Sequence, residues 1–215
     1  MIQLSKSDIC PFGKSLQKYW NRRSEYFSDG ILIDAEGLYS VVPEQVGLRL
    51  AELIQGKTIL DGFADVGGTA IAFARVGKQV IAVDTDNQRL TMAEHNADIY
   101  TVTNEITFIH GDFFKVASTV KADTVYLDPP WSGPNYKEHG RFLFEHFNPD
   151  GNRVLEFSFH HFNEVVLRVP TIFDMSELKR FNTSFTVHDD VSEGRVVSKT
   201  IILQKNRPNI LDSTH

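Results

Sequence analysis

The sequence predicts an α/β protein whose core is a mostly parallel, seven-stranded sheet with helices on both faces, preceded by a small helical extension. Three observations carry that expectation. From residue 57 onward, short apolar runs alternate with stretches that read as helix, the pattern of βαβ units with right-handed crossovers. The turn after the first run is rich in glycine, and the fourth run stops abruptly at Asp128-Pro129-Pro130. The last two runs flank Glu193-Gly194, a turn signal that makes them a closing hairpin.

Taken in order, Lys14 to Tyr26 has Leu16, Tyr19, Trp20 and Arg23 at near-helical spacing, and Asp29-Gly30 ends it. Pro43-Glu44 opens a second helix that runs through Leu53 and Ile54 to Gly56, since proline is tolerated in a first helical turn. The strands follow at Thr58–Phe63, Gln79–Val83, Ile106–Ile109, Thr124–Leu127, Val165–Val169, Phe185–His188 and Val197–Leu203. Helices are expected from Thr69 to Val76 and from Asp86 to Tyr100. The expected organisation is therefore an N-terminal helical segment (1–56), one α/β domain (57–205) and a polar tail (206–215).

Composition narrows the class. With 215 residues, 41% hydrophobic and 23% charged, the chain can bury one good-sized core. No stretch reaches the roughly 18 uninterrupted apolar residues of a membrane span, and the amino terminus lacks a signal-peptide core. A single cysteine, Cys10, forms no internal disulfide and fits a reducing, intracellular setting. No zinc-ligand spacing is present, so no metal is expected. The formal net charge is −6. A grip on long nucleic acid normally requires a basic face, so a nucleic-acid target would be small or terminal.

In open α/β sheets, ligands bind outside the carboxyl ends of the strands, and three motifs fall there. Asp61-Gly62-Phe63-Ala64-Asp65-Val66-Gly67-Gly68-Thr69 closes the first main strand and opens a helix, offering close backbone approach and free N–H groups. The second ends at Asp84, where a carboxylate can accept two ribose hydroxyls or cap the next helix. The third ends at Gly111-Asp112-Phe113, a carboxylate beside an aromatic ring. Together these resemble the class I, Rossmann-like methyltransferases that bind S-adenosylmethionine. That resemblance implies Asp61 near the methionine end, Asp84 on the ribose, and Asp112 with Phe113 at the adenine.

The fourth strand ends in Asp128-Pro129-Pro130-Trp131. Consecutive prolines fix φ and remove two donors, leaving carbonyls for a pocket. Asp128 and the Pro129 carbonyl can each accept an N–H from an amine whose lone pair faces an electrophilic methyl, while Trp131 stacks on a base. Such positioning is worth roughly 7–11 kcal/mol of barrier. The motif resembles the D/N/S-P-P-[YFW] signature of amino-methyltransferases.

The longer run to Tyr136 is similar to the SPPWGGPxY motif of the trimethylguanosine synthase family. Lys18-Tyr19-Trp20, Ser28-Asp29-Gly30, Asp34 to Glu44, Glu94-His95-Asn96-Ala97 and Asn148-Pro149-Asp150-Gly151 match that family in order. The resemblance spans Lys18 to Leu203. It implies an RNA-cap guanosine-N2 methyltransferase with Asp128, Pro129 and Trp131 at the reacting amine. S-adenosylmethionine would be held by Phe27, Asp61, Gly67, Asp84, Asn96, Asp112 and Phe113. The 7-methylguanosine cap would meet Lys18, Trp131, Pro134, Asn135 and Tyr136, with the N-terminal segment closing over the site. A 7-methylated guanine is cationic, so stacking on an indole gains roughly 0.5–2 kcal/mol. Lys14, Lys18 and Arg22 recur every four residues, as a phosphate grip or a solvated face.

The chain also departs from the family. Asp128 replaces the motif's serine, Ser132 its second glycine, Val42 a cofactor-contacting threonine, and Ala64-Asp65 a Cys-Gly pair. Thr171 stands where a phosphate-binding arginine is expected, and alternation puts nearby Arg168 elsewhere. The implied partner is the cap end of an RNA rather than long RNA. No membrane is involved, and a monomeric enzyme in nucleus or cytoplasm is expected. Competing readings are an amino-methyltransferase on another base or a protein glutamine, and a cap-binding module without catalysis.

Overall fold

The computed structural model describes residues 1–3, 10–22, 28–181 and 183–204. The chain enters through a small antiparallel pair, β1 (Ile2–Gln3) with β2 (Leu32–Ile33). In place of one helix from Lys14 to Tyr26, the described part holds a 3-10 turn at Lys14–Leu16 and a single α-turn, α1 (Gln17–Trp20). Residues 23–26 lie outside the described residues. So short a helix has little stability of its own. It is held by Trp20, which is 1% exposed, and by Gln17, whose Oε1 accepts from the Cys10 N–H at 3.0 Å. A second turn, α2 (Gly37–Ser40), precedes the expected helix, α3 (Glu44–Leu53), which Pro43 opens. The N-terminal segment is thus mixed rather than purely helical.

The main sheet consists of β3 (Thr58–Asp61), β4 (Gln79–Asp84), β5 (Ile106–His110), β6 (Thr124–Leu127), β7 (Glu164–Val169), β8 (Ser184–Ser192) and β9 (Arg195–Gln204). Its order is β5-β4-β3-β6-β7-β9-β8. β3 to β7 run parallel, and β9 inserts antiparallel between β7 and β8. Glu193 (φ 47) and Gly194 (φ 72) join the last two strands. Two consecutive left-handed residues match the twist of a hairpin.

Alternation along the strands builds two apolar layers. Ile59, Tyr126 and Val166 face a layer with Trp20, Val46, Leu50 and Phe73, covered by α3, α4 (Gly68–Arg75) and α5 (Asn87–Ile99). Leu60, Leu127 and Leu167 face the other with Phe144, Val154 and Leu155, covered by α6 (Phe113–Ala117) and α7 (Gly151–His161). Neither α6 nor α7 is expected from the periodicity of the sequence. α7 is capped by Asp150, whose carboxylate accepts from Asn152 N at 2.9 Å and Arg153 N at 3.2 Å. Among the described residues, no helix is long and apolar enough to cross a membrane.

The turn between β3 and α4 requires glycine twice. A Cβ at Gly62 would sit 2.7 Å from the Phe113 ring, and Gly67 has φ 92 with Ala93 Cβ 3.0 Å from where its own Cβ would be. Gly67→Ala should cost about 2–3 kcal/mol, from strain and contact together. Gly77→Ala, with φ 83 but nothing within 4 Å, should cost about 1 kcal/mol. Urea unfolding of the two variants compares them; equal losses would mean that α4 and α5 yield easily at Gly67.

Candidate active site

The carboxyl ends of β3, β4, β5 and β6 open on one cleft of about 1020 Å³, with the N-terminal segment forming its opposite wall. Small-molecule sites span about 300–1,000 Å³, so this cleft lies at the upper end of that range.

At the β3 end, Asp61 is fully buried. Its Oδ2 accepts from Thr69 Oγ1 at 2.6 Å, while Oδ1 is sealed from solvent with no partner. Burial pushes its carboxyl up to about 7; the Thr69 hydroxyl opposes, as does the Phe63 N–H, which is near the carboxyl without making a hydrogen bond of good geometry, and the charges of Asp128 and Asp84 add to the rise. A buried orphan acceptor at a cleft floor suits a cationic ligand group. Asp65 takes the left-handed turn position, with φ 48. Its Oδ2 accepts from Ser40 Oγ at 2.7 Å, and its Oδ1 lies 3.5 Å from Arg89 Nε.

Asp84, at the β4 end, faces the cleft. Its Oδ2 accepts the Asp65 N–H at 2.8 Å and its Oδ1 the Asp86 N–H at 2.9 Å. The helix cap is Asp86, which bonds Gln88 N and Arg89 N, so the alternative of Asp84 as the cap is closed. At the β5 end, Asp112 caps α6 through Lys115 N at 3.2 Å and still lines the cleft. Phe113 and Phe114 form the adjoining wall, with Phe113 packed 5.3 Å from the Phe63 ring.

Asp128, Pro129 and Trp131 line the far half of the cleft with Pro134 and Tyr136. Trp131 meets Tyr136 edge-on at 5.4 Å. Its indole N–H is buried and helps hold the Asp128 carboxyl down, although it makes no hydrogen bond of good geometry. The Pro130 carbonyl accepts Asn148 N at 3.1 Å, and no described residue donates to the Pro129 carbonyl. Asp128 is 14% exposed. Its Oδ2 accepts from Arg168 Nη1 at 2.7 Å. Burial pushes the Asp128 carboxyl up, and Arg168 holds it back.

Four expectations come out differently. Asn96 faces away from the cleft: its amide donates to Leu32 O at 3.0 Å and Val66 O at 2.9 Å, and its Oδ1 accepts Leu32 N at 2.7 Å. Every hydrogen-bonding group of that side chain is occupied in pinning β2 to the glycine turn. Gly67 supplies the turn, while Gly68 lines the cleft. Asn135 lies off the cleft and opens the short turn at Tyr136–His139. Of the basic stripe, Lys18 and Arg22 line the cleft but Lys14, in the 3-10 turn, does not, because the stripe assumed one continuous helix. Phe27 lies outside the described residues.

Arg168 is not among the site residues expected from the sequence. It does lie elsewhere than Thr171, as alternation requires, yet that place is the cleft floor. Leu127 pairs with Leu167, so the next residues on the two parallel strands, Asp128 and Arg168, stand side by side. A charge interrupting the buried run Val165-Val166-Leu167 was the available signal, because a buried arginine demands a carboxylate partner. Among the described residues, no cluster of His, Cys, Asp or Glu is arranged to hold a metal ion.

A mostly parallel sheet with a glycine turn after β3 and carboxylates at the following strand ends is the arrangement of the class I, S-adenosylmethionine-dependent methyltransferases, and the family match below places the chain among them. A methyltransferase candidate of Porphyromonas gingivalis W83, solved by crystallography, shares the fold, with a TM-score of 0.70 over 96% of this chain and 54% of that one, at 16% identity. Residues 56–207 match the model of the RNA cap guanine-N2 methyltransferases. The trimethylguanosine synthase of Schizosaccharomyces pombe is 38% identical over 166 residues, 71% of this chain and 69% of that protein. That of Saccharomyces cerevisiae is 30% identical over 77% of this chain and 58% of its own length. The chain belongs to the RNA cap guanine-N2 methyltransferase family.

The raised pKa of Asp61 gives a pH dependence with a definite sign. In the unliganded chain its protonated form is favoured, so its contribution to stability is present at acid pH and lost as pH rises through about 7. A cationic ligand group reverses that preference. S-adenosylmethionine affinity should therefore rise about tenfold between pH 6 and 8, and Asp61→Asn should flatten the rise. Titration calorimetry at the two pH values decides; identical affinities would remove Asp61 from the cofactor's cationic end.

Proposed function

We propose that this chain transfers a methyl group to the exocyclic N2 amine of a 7-methylguanosine RNA cap, acting as an intracellular monomer on the cap end rather than on long RNA. One observation carries the reading. A carboxylate and an indole from the same strand end, Asp128 and Trp131, reach the cleft together, beside a proline carbonyl to which no described residue donates.

When bound, S-adenosylmethionine would supply an electrophilic methyl on a sulfonium sulfur to the amine lone pair, with the thioether as leaving group and the surplus amine proton passing to water. The residues of the chain orient that event. The orphan Oδ1 of Asp61 takes the ammonium at the methionine end. Asp84, oriented by two backbone N–H groups, keeps its remaining lone pairs for the ribose hydroxyls, and Asp112 with Phe113 receives the adenine. On the substrate side, Trp131 stacks on the cationic base, with Tyr136 against its edge. Asp128 and the Pro129 carbonyl each accept one amine N–H, which turns the nitrogen lone pair toward the methyl. Reactants held in line need little further chemistry.

The phosphate side is lighter than the family's. Thr171 lines the cleft where an arginine is expected; its hydroxyl can bond a phosphate oxygen but brings no charge. Lys18, at the cleft wall with its ammonium 4.8 Å from the Tyr19 ring, contributes positive charge there together with Arg22, Lys137 and Arg195.

Labelled S-adenosylmethionine with 7-methyl-GTP or plain GTP, followed by identification of the product nucleoside, tests the reading. Label is expected only in the 7-methylated product, at N2; transfer to plain GTP, or to neither, sinks it. Trp131→Ala should lower turnover by at least about a hundredfold while cofactor affinity stays within about twofold; parallel loss of both would contradict the stacking role. Lys18→Ala should weaken 7-methyl-GTP several-fold more than 7-methylguanosine, as expected for one exposed phosphate contact, and equal weakening would remove that contact.

A further inference from the structure

Arg168 is a charge where the fold has least room for one. It interrupts β7 at 5% exposure, between Leu167 and Val169, both fully buried. Burial alone would pull its pKa down, but Asp128, Tyr126 and Asp190 outweigh that and keep it protonated. Its contacts are unusually directed. Nη1 donates to Asp128 Oδ2 at 2.7 Å, and Nε donates to Ser198 Oγ at 3.0 Å. The guanidinium carbon lies 4.7 Å from the centre of the Trp131 ring. Behind it, Ser198 Oγ donates to Asp190 Oδ2 at 2.5 Å, and Thr200 Oγ1 donates to Asp190 Oδ1 at 2.9 Å. Asp190 itself is 5% exposed. The chain Asp190–Ser198–Arg168 is therefore a rigid bracket, anchored on β8 and β9, whose far end touches both groups that meet the substrate.

We propose that Arg168 is a positioning residue for methyl transfer, clamping the Asp128 carboxylate and one face of the Trp131 indole as a single unit. This rests on the function proposed above. With Oδ2 of Asp128 engaged, Oδ1, which accepts from no described residue, is the oxygen left for an amine. With one face of the indole covered by the guanidinium, a base stacks on the other. Two carboxylates, Asp128 and Asp190, surround the one guanidinium, so the floor carries a net negative charge that suits a cationic base. The pair is also interdependent. A serine at position 128 would leave the buried guanidinium facing the cationic base with only Asp190 to offset it, 3.9 Å away. Removing Arg168 would leave Asp128 buried among Asp61, Asp190 and the Tyr126 hydroxyl with no counter-charge. Breaking a buried pair is far costlier than replacing both members.

Kinetics of Arg168→Met, Asp128→Ser and the double variant test the clamp at saturating cofactor. Each single change should lower kcat by about a hundredfold, the cost of misplacing a reactive group by about an ångström, with KM for S-adenosylmethionine nearly unchanged. The double variant should recover much of that loss, and the acid limb of the Arg168→Met kcat profile should move to higher pH. If Arg168→Met does not fold, Arg168→Lys serves: it keeps the charge, loses the planar fork, and should lower kcat with little shift of the acid limb. A substrate-free readout separates this proposal from the function it rests on. In the unliganded protein, the Trp131 indole NMR signal, distinguished from that of Trp20 by a Trp131→Phe reference, should broaden or split in either Arg168 variant. An unchanged indole signal with unchanged kcat, or strictly multiplicative losses in the double variant, overturns the clamp while leaving the function intact. A disturbed indole signal in a chain that methylates no 7-methylated nucleotide leaves the clamp standing and overturns the function.

Discussion

Carboxylates crowd the carboxyl edge of the sheet, and the constraint they impose organises the molecule. Asp61, Asp65, Asp84 and Asp128 lie at or just beyond strand ends, and Asp190 lies behind them. Removing an ionised carboxyl from water is expensive unless hydrogen bonds or counter-charges replace the lost hydration. The fold meets that demand differently at each position. Asp84 is held by two backbone N–H groups, Asp65 by Ser40 and Arg89, and Asp128 and Asp190 by Arg168 and its hydroxyl neighbours. Asp61 and Asp65 each keep a sealed oxygen without a hydrogen bond, and burial pushes both carboxyls up to about 7; of the two, Asp65 has a guanidinium within 3.5 Å, that of Arg89. The hydrogen-bonded carboxylates are structural supports as well as candidate ligand contacts, and Asp61, whose sealed oxygen has no described cation in salt-bridge range, is where a cation is most wanted.

The same economy of charge ties the N-terminal segment to the sheet domain. Arg89, on α5, lies within salt-bridge distance of Asp34 at 3.3 Å, Glu36 at 2.5 Å and Asp65 at 3.5 Å. Asn96, two turns further along α5, clips β2 by two hydrogen bonds to Leu32 and the glycine turn by a third to Val66. Residues 34–43 are therefore fastened by polar contacts to the helix and turn that frame the cofactor half of the cleft. A wall built in this way has a defined position without needing a large core of its own, which its short elements could not provide.

Much of the fold was legible in advance because its signals are local. The five parallel strands and the hairpin at Glu193-Gly194 stand out as apolar runs and turn chemistry. The motifs at Asp61, Asp84, Asp112 and Asp128 fell at strand ends, where a parallel sheet gathers them. Helix α6 leaves no periodic signal because it is one short turn-and-a-half under a capping aspartate, and over Lys14–Trp20 the tertiary contacts of Trp20 and Gln17 outweigh the spacing that suggests one continuous helix. Asn96 was misread for a different reason: an amide satisfied by three backbone groups looks, in one dimension, the same as one waiting for a ligand.

The order of strands and turns, the carboxylates at their ends and the proline-framed tryptophan are properties of contiguous residues and can be read from the amino acids alone. Only the tertiary structure decided which charges meet. The parallel register that sets Leu127 against Leu167 also brings Asp128 beside Arg168, forty positions later in the chain. Hydrogen bonding between neighbouring strands fixes that pairing, and no periodicity within either strand records it.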